Sequence, residues 1–148
     1  MQAREAQPWA ASRVRPPVRE QDLTILRTIL ATRGGFTHRQ HLELAWSYLR
    51  IHEPEEAQRA MGAAIRHVAR LHGAPDRYHE TITRSWVRLV ALHLAGSEAE
   101  SFDEFIADNP ALLDRHLLGR HYSPGRLSSP HARRQWTEPD LRDFPRAT

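Results

Sequence analysis

Four histidines and one glutamate lie at two points of this 148-residue sequence where a helix is expected to begin or end. His38 and His41 form the first group, and His72, His79 and Glu80 form the second. Imidazole and carboxylate side chains can bind a transition metal or transfer protons near neutral pH. The sequence therefore predicts a functional site where these two stretches meet.

The composition limits the chemistry that such a site could perform. The chain has no cysteine, and all 21 of its basic residues are arginine. This composition excludes a thiolate nucleophile, a disulfide and a lysine Schiff base. There is also no glycine-rich phosphate loop and no G-x-S-x-G nucleophile motif. A bound metal would therefore be held by nitrogen and oxygen ligands alone.

The arginines are interleaved with 18 acidic residues, and the formal net charge is only +3. This pattern is typical of solvated helix faces, whereas nucleic-acid binding usually needs a concentrated basic face. No stretch approaches the roughly 18 apolar residues of a membrane span, and no signal-peptide pattern is present. We therefore expect a cytoplasmic protein with neither nucleic acid nor membrane as a partner, and the sequence leaves a homodimer open.

Apolar residues recur every three or four positions in four long segments, which is typical of amphipathic helices. These segments are 20–33, 38–51, 54–72 and a fourth that starts at about Asp76 or Tyr78 and ends at Ala95. No strand pattern is present. The sequence thus predicts an all-α fold, an up-and-down bundle of four main helices followed by a short helical pair and an irregular C-terminal tail.

The predicted domain organisation has three parts. Residues 1–19 are proline-rich and are expected to form a flexible N-terminal arm. Residues 20–122 would form the helical bundle domain. Residues 123–148 would form an extended tail that either packs on the bundle or acts as a lid.

Short connections place consecutive helices antiparallel, so the turns at 34–35 and 73–74 should lie at one end of the bundle. A layer there is about 5.4 Å deep, one helical turn. The four histidines expected within about one turn of this layer are His38, His41, His72 and His79.

Three nitrogen ligands plus an open coordination position are typical of a catalytic metal site. We therefore predict a divalent transition metal (Zn, Fe or Mn) held by His38, His41 and His79. His72 would be a fourth ligand or a proton shuttle. Glu80 would be a general base or would hydrogen-bond to one of the histidines that bind the metal.

Tyr78 and Thr83 lie close enough to the same layer to orient a substrate. The partial positive charge at the helix starts would attract an anionic group. The expected substrate is therefore a small polar or anionic molecule.

This arrangement of helix-borne histidines resembles helical bundles of the DinB type, which hold a metal with three histidines from different helices. Those bundles also place an inward H-x-x-x-H pair on a late helix, and this sequence lacks that pair. No residue roles are therefore transferred from the resemblance.

The sequence predicts a small metal-dependent enzyme, with hydrolysis, elimination, isomerisation and oxygen chemistry all open. Two alternatives remain. One is a metal-free acid–base enzyme that uses the same histidines. The other is a non-catalytic helical interaction module in which the arginine-rich tail contacts an acidic partner.

Overall fold

The computed structural model describes residues 18–31 and 36–145 of the chain. In this part every regular element is a helix and no strand occurs, which confirms the predicted all-α fold. The α-helices are α1 (Glu20–Ala31), α2 (His38–Ile51), α3 (Pro54–Leu71), α4 (Glu80–Leu94), α5 (Phe102–Asp108), α6 (Pro124–Leu127) and α7 (Pro130–Arg134). The 3₁₀ segments are Pro75–Arg77, Pro110–Leu113 and Leu117–Arg120.

Some sequence-based expectations fall outside these residues. Nearly all of the predicted N-terminal arm does so, as does the predicted end of the first helix at Arg33. Among the helices of the described part, none combines the length and apolar character that crossing a membrane requires.

Helix α2 begins where its capping sequence requires. The Thr37 hydroxyl accepts a hydrogen bond from the Gln40 backbone at 3.3 Å, and the Gln40 side chain accepts one from the Thr37 backbone at 2.7 Å. This reciprocal pair satisfies two backbone donors that would otherwise lack partners at the helix start. The Gln40 amide also donates to the Ile29 carbonyl, which ties the start of α2 to α1.

Helices α2 and α3 form the centre of the bundle. They pack against each other, and both contact α1 and α4. Between α1 and α4 the described residues make no contact of comparable extent. The core between the helices includes the fully buried side chains of Leu26, Leu42, Met61 and Val90. Burying side chains of this size stabilises the fold by about 1.5–3 kcal/mol each.

Residues 123–145 pack on the bundle through α4. The buried Thr81 hydroxyl lies within hydrogen-bond distance of the carbonyls of Ala132, at 2.7 Å, and Gln135, at 2.9 Å. It also accepts a hydrogen bond from the Thr137 backbone at 3.1 Å. The Tyr122 hydroxyl donates to the Thr137 carbonyl at 2.6 Å. One side chain of α4 thus holds α7 and the segment that follows it.

A buried polar pair joins α1 to the end of α2. The His52 ring lies 2.8 Å from the Asp22 carboxylate, and the two side chains are 10% and 4% exposed. The Tyr48 hydroxyl donates to the Asp22 backbone carbonyl at 2.8 Å. Because a buried carboxylate without a partner is costly, His52 is required for Asp22 to be tolerated there.

We expect His52→Ala to lower the free energy of unfolding by about 3 kcal/mol, because it leaves the Asp22 carboxylate buried without its partner. Urea unfolding of the full chain measures this loss. The control is His72→Ala, since His72 is exposed and its substitution should change stability by less than about 0.5 kcal/mol. Equal effects of the two substitutions would contradict a stabilising role for the pair.

Candidate functional site

His38, at the first position of α2, is used for packing and hydrogen bonding. Its Nε2 lies 2.9 Å from the Leu112 carbonyl, which can only accept, so Nε2 carries the proton. The ring packs edge-on against Trp86 of α4, with 4.5 Å between the ring centroids. Burial lowers the pKa of His38, although the Leu112 carbonyl opposes this effect.

His41 lies one turn further along α2. Its Nδ1 donates to the Thr37 carbonyl at 3.1 Å, and its ring stacks on Phe36 with 4.1 Å between centroids. Burial lowers the pKa of His41 as well. The imidazole is thus held against its own helix start.

His79 is the N-cap of α4, because α4 begins at Glu80. The predicted start at Asp76 or Tyr78 is therefore wrong. The Nδ1 atom of His79 accepts a hydrogen bond from the Ile82 backbone at 3.1 Å, and its Nε2 donates to the Leu127 carbonyl at 2.8 Å. Both ring nitrogens are occupied, so this imidazole is neutral and joins the start of α4 to the tail.

The predicted ligands are not brought to one point. His79 precedes Trp86 by seven residues, so it lies about 10 Å along α4 from the position where His38 packs. His72 ends α3 and is exposed. Within residues 18–31 and 36–145, no three histidine, aspartate or glutamate side chains are placed to hold one ion. The metal-dependent activity stays a prediction, and the positions of these side chains give it no support.

Two of the predicted residues do come together. The Tyr78 hydroxyl donates to the Glu80 carboxylate at 2.6 Å, and Arg66 of α3 donates to the same oxygen at 3.2 Å. The Arg66 guanidinium also stacks over the Tyr78 ring, 4.1 Å from its centroid. Arg84 approaches the other oxygen of Glu80 at 3.7 Å. Glu80 therefore fixes the position of Arg66.

Tyr78 is held firmly in its protonated form. Burial is the main cause that raises the pKa of Tyr78, and the hydrogen bond to Glu80 adds to it, while Arg66 and Thr83 oppose it. Thr83 is buried within α4. Both residues were predicted to orient a substrate. The structure places the Tyr78 ring beneath Arg66, where it also lines a cleft, and it places Thr83 in the core; the substrate role of both stays a prediction.

An open cleft of about 570 Å³ lies next to this group of residues. Its lining residues are Arg66, Arg70, Pro75, Asp76, Tyr78, Arg133 and Arg134. They come from α3, the 3₁₀ segment Pro75–Arg77 with the residue after it, and α7. We call this feature the arginine cleft, because four of its seven lining residues are arginines.

The four guanidiniums of the arginine cleft differ in their partners. Arg66 is held by Glu80, and Arg133 donates to the backbone carbonyls of Asp76 and Tyr78 at 3.1 and 3.3 Å. The side chains of Arg70 and Arg134 make no hydrogen bond or ion pair with another described residue. Asp76 supplies the one carboxylate among the lining residues described.

The positive charge of the cleft contributes to the lowered pKa of the neighbouring His79. The pKa of His79 is lowered first by burial, and the nearby charge of Arg133 lowers it further. Neutral His79 and positive Arg133 are therefore compatible neighbours, whereas a protonated His79 would be repelled.

The arginine cleft was not predicted from the sequence. The spacing of Arg66 and Arg70, four residues apart, does indicate a shared helix face. Nothing local indicates that Arg133 and Arg134 lie opposite them, because this depends on the docking of α6 on His79 and of α7 on Thr81. Because the arginines are evenly distributed along the sequence, their spacing does not indicate that four of them converge in space.

No protein-family model matches the chain, and neither the curated proteins nor the solved structures include a significant match to it.

The state of His79 predicts a pH-dependent stability. Its pKa is lowered from 6.5 in the folded protein, so below about pH 6.5 the unfolded chain binds a proton that the folded chain does not. The free energy of unfolding should therefore fall as the pH is lowered from 6.5 toward the folded pKa. Urea midpoints measured between pH 7.5 and 5.5 should show this decline.

His79→Asn should make that decline shallower, because asparagine can cap α4 but does not titrate. The slope should not vanish, since His38 and His41 also have lowered pKa values. His72→Asn is the matched control and should keep the wild-type slope. A slope unchanged by His79→Asn would contradict a contribution of His79 to the pH dependence of stability.

Gly62 of α3 makes room for the Tyr78 hydroxyl. A Cβ at this position would lie 3.0 Å from the hydroxyl and 3.2 Å from Arg66. Alanine in a helix interior is otherwise favoured over glycine by about 1 kcal/mol. We expect Gly62→Ala to be neutral or destabilising in the wild-type chain but stabilising in Tyr78→Phe, where the hydroxyl is absent. Urea unfolding of the four variants of this double-mutant cycle tests the contact, and additive effects would contradict it.

Proposed function

We propose that this protein is a non-catalytic binding module that captures an anionic group of a ligand in the arginine cleft. The observation that carries the proposal is the convergence of four guanidiniums from two helices in one concavity with a single carboxylate. Guanidinium groups bind carboxylates and phosphates through parallel, charge-assisted hydrogen bonds. A volume of about 570 Å³ lies within the range of small-molecule sites.

The cleft is partly organised before any ligand binds. Arg66 is fixed by Glu80 and by the ring of Tyr78, and Arg133 is fixed by two backbone carbonyls. Groups held in place lose little conformational entropy on binding, which favours affinity. Arg70 and Arg134, exposed to solvent, remain able to turn toward a ligand.

The same contacts favour binding over acid–base catalysis. A general base needs an accessible lone pair. Both nitrogens of His79 are occupied, and one oxygen of Glu80 accepts hydrogen bonds from both Tyr78 and Arg66. These side chains support the walls of the cleft, so their role in the proposal is structural.

The test is isothermal titration of the full chain with sulfate and with citrate, at low ionic strength so that charge interactions are not screened. At least one of the two anions should bind. Arg70→Gln combined with Arg134→Gln should weaken that binding roughly a hundredfold, because hydrogen bonds to charged groups contribute about 1.5 kcal/mol or more each.

The control is Arg27→Gln combined with Arg120→Gln, which changes the net charge by the same amount. Both control residues are exposed and neither lines the cleft. The control variant should bind as the wild-type chain does. Absence of binding to both anions, or equal losses in the two variants, would reject the proposal.

A further inference from the structure

We infer that the group bound in the arginine cleft is the doubly charged phosphate of a small, soluble phosphate monoester. This inference rests on the proposed function and names the class of its ligand. Three features of the cleft support it: its uncompensated charge, the directions from which its donors come, and its size.

The uncompensated charge of the cleft matches a dianion. The lining carries four guanidiniums and one carboxylate, that of Asp76, which forms no ion pair with a described residue. Glu80, outside the lining, pairs with Arg66 at 3.2 Å and also approaches Arg84 at 3.7 Å. Even when both carboxylates are counted in full, two positive charges of the lining remain in excess, and Arg70 and Arg134 pair with no described residue. A phosphate monoester carries close to two negative charges near neutral pH, whereas a carboxylate or a phosphate diester carries one.

The directions of the free donors favour a tetrahedral anion. Arg70 belongs to α3 and Arg134 to α7, so their planar guanidinium groups reach the cleft from different helices. A carboxylate has two oxygens in one plane, and one guanidinium can donate a hydrogen bond to each of them. A phosphate monoester has three terminal oxygens in a tetrahedral arrangement and can accept from two forks at once.

The size and lining of the cleft favour a small organic phosphate. The cleft exceeds the volume of a phosphate group, and Pro75 and the Arg66–Tyr78 stack can contact an attached carbon skeleton. A membrane surface would require several exposed apolar side chains next to the basic residues. Beside the cleft, the described residues provide one large exposed apolar side chain, Leu71.

The experiment is isothermal titration of the full chain with glycerol 3-phosphate at pH 7.5 and pH 5.0. The second pKa of the phosphate is about 6, so the ligand changes from a dianion to a monoanion between these conditions. Affinity should fall at least tenfold at pH 5.0. Sulfate is a dianion at both pH values, so any change in its affinity reports titration of the protein and is subtracted from the change measured with glycerol 3-phosphate.

A substitution separates fork geometry from charge. Arg70→Lys combined with Arg134→Lys keeps both charges but removes both forks, and should weaken glycerol 3-phosphate binding at least tenfold. The matched control, Arg27→Lys combined with Arg120→Lys, should bind as the wild-type chain does. Succinate and dimethyl phosphate should bind at least tenfold more weakly than glycerol 3-phosphate.

Several outcomes would overturn the inference. These are equal affinity for succinate, equal affinity at the two pH values after the sulfate correction, or binding to phosphatidate vesicles without binding to glycerol 3-phosphate. If citrate or sulfate still binds through Arg70 and Arg134, the proposed function stands while the ligand class falls. If no anion binds, both fall.

Discussion

The docking of the C-terminal segment on the start of α4 is the interaction on which the candidate site depends. The buried Thr81 hydroxyl contacts three backbone groups of residues 132–137, and His79 adds a contact to Leu127. These contacts satisfy backbone groups that an irregular segment cannot pair within itself. They also place α7 across from α3, so one wall of the arginine cleft exists only while the segment is docked.

Stacking on aromatic rings gives some of the arginines a structural role that was not predicted from the sequence. Among residues 18–31 and 36–145, five arginines stack over aromatic rings, and two of them, Arg84 and Arg88, share the ring of Trp136. A planar guanidinium can stack in this way and still donate hydrogen bonds at its edge, whereas an ammonium group cannot stack. These five arginines thus cover aromatic side chains as well as solvating helix faces. In the arginine cleft the same property lets Arg66 pack on Tyr78 while it bonds to Glu80.

The parts of the fold that could be predicted from sequence are those set by local patterns. The capping box at Thr37 and the proline at position 54 fix where α2 and α3 begin, and the apolar period fixes their inner faces. The site could not be predicted in the same way, because its residues come from segments about 60 positions apart. The start of α4 was also predicted too early. Residues 75–77 fit the helical sequence pattern, but they form a separate 3₁₀ turn, and the α-helix begins only at Glu80.

Several histidines that the sequence pattern cannot distinguish from metal ligands make hydrogen bonds to distant parts of the backbone. His38, His79 and His121 each donate to, or pair with, a backbone carbonyl more than 20 residues away. A neutral imidazole suits this task because one nitrogen can donate while the other accepts or packs. His79 uses both nitrogens in this way, and the segment it holds carries Arg133 and Arg134. The imidazole of His79, which was predicted to bind a metal, thus helps to position the two arginines that complete the arginine cleft.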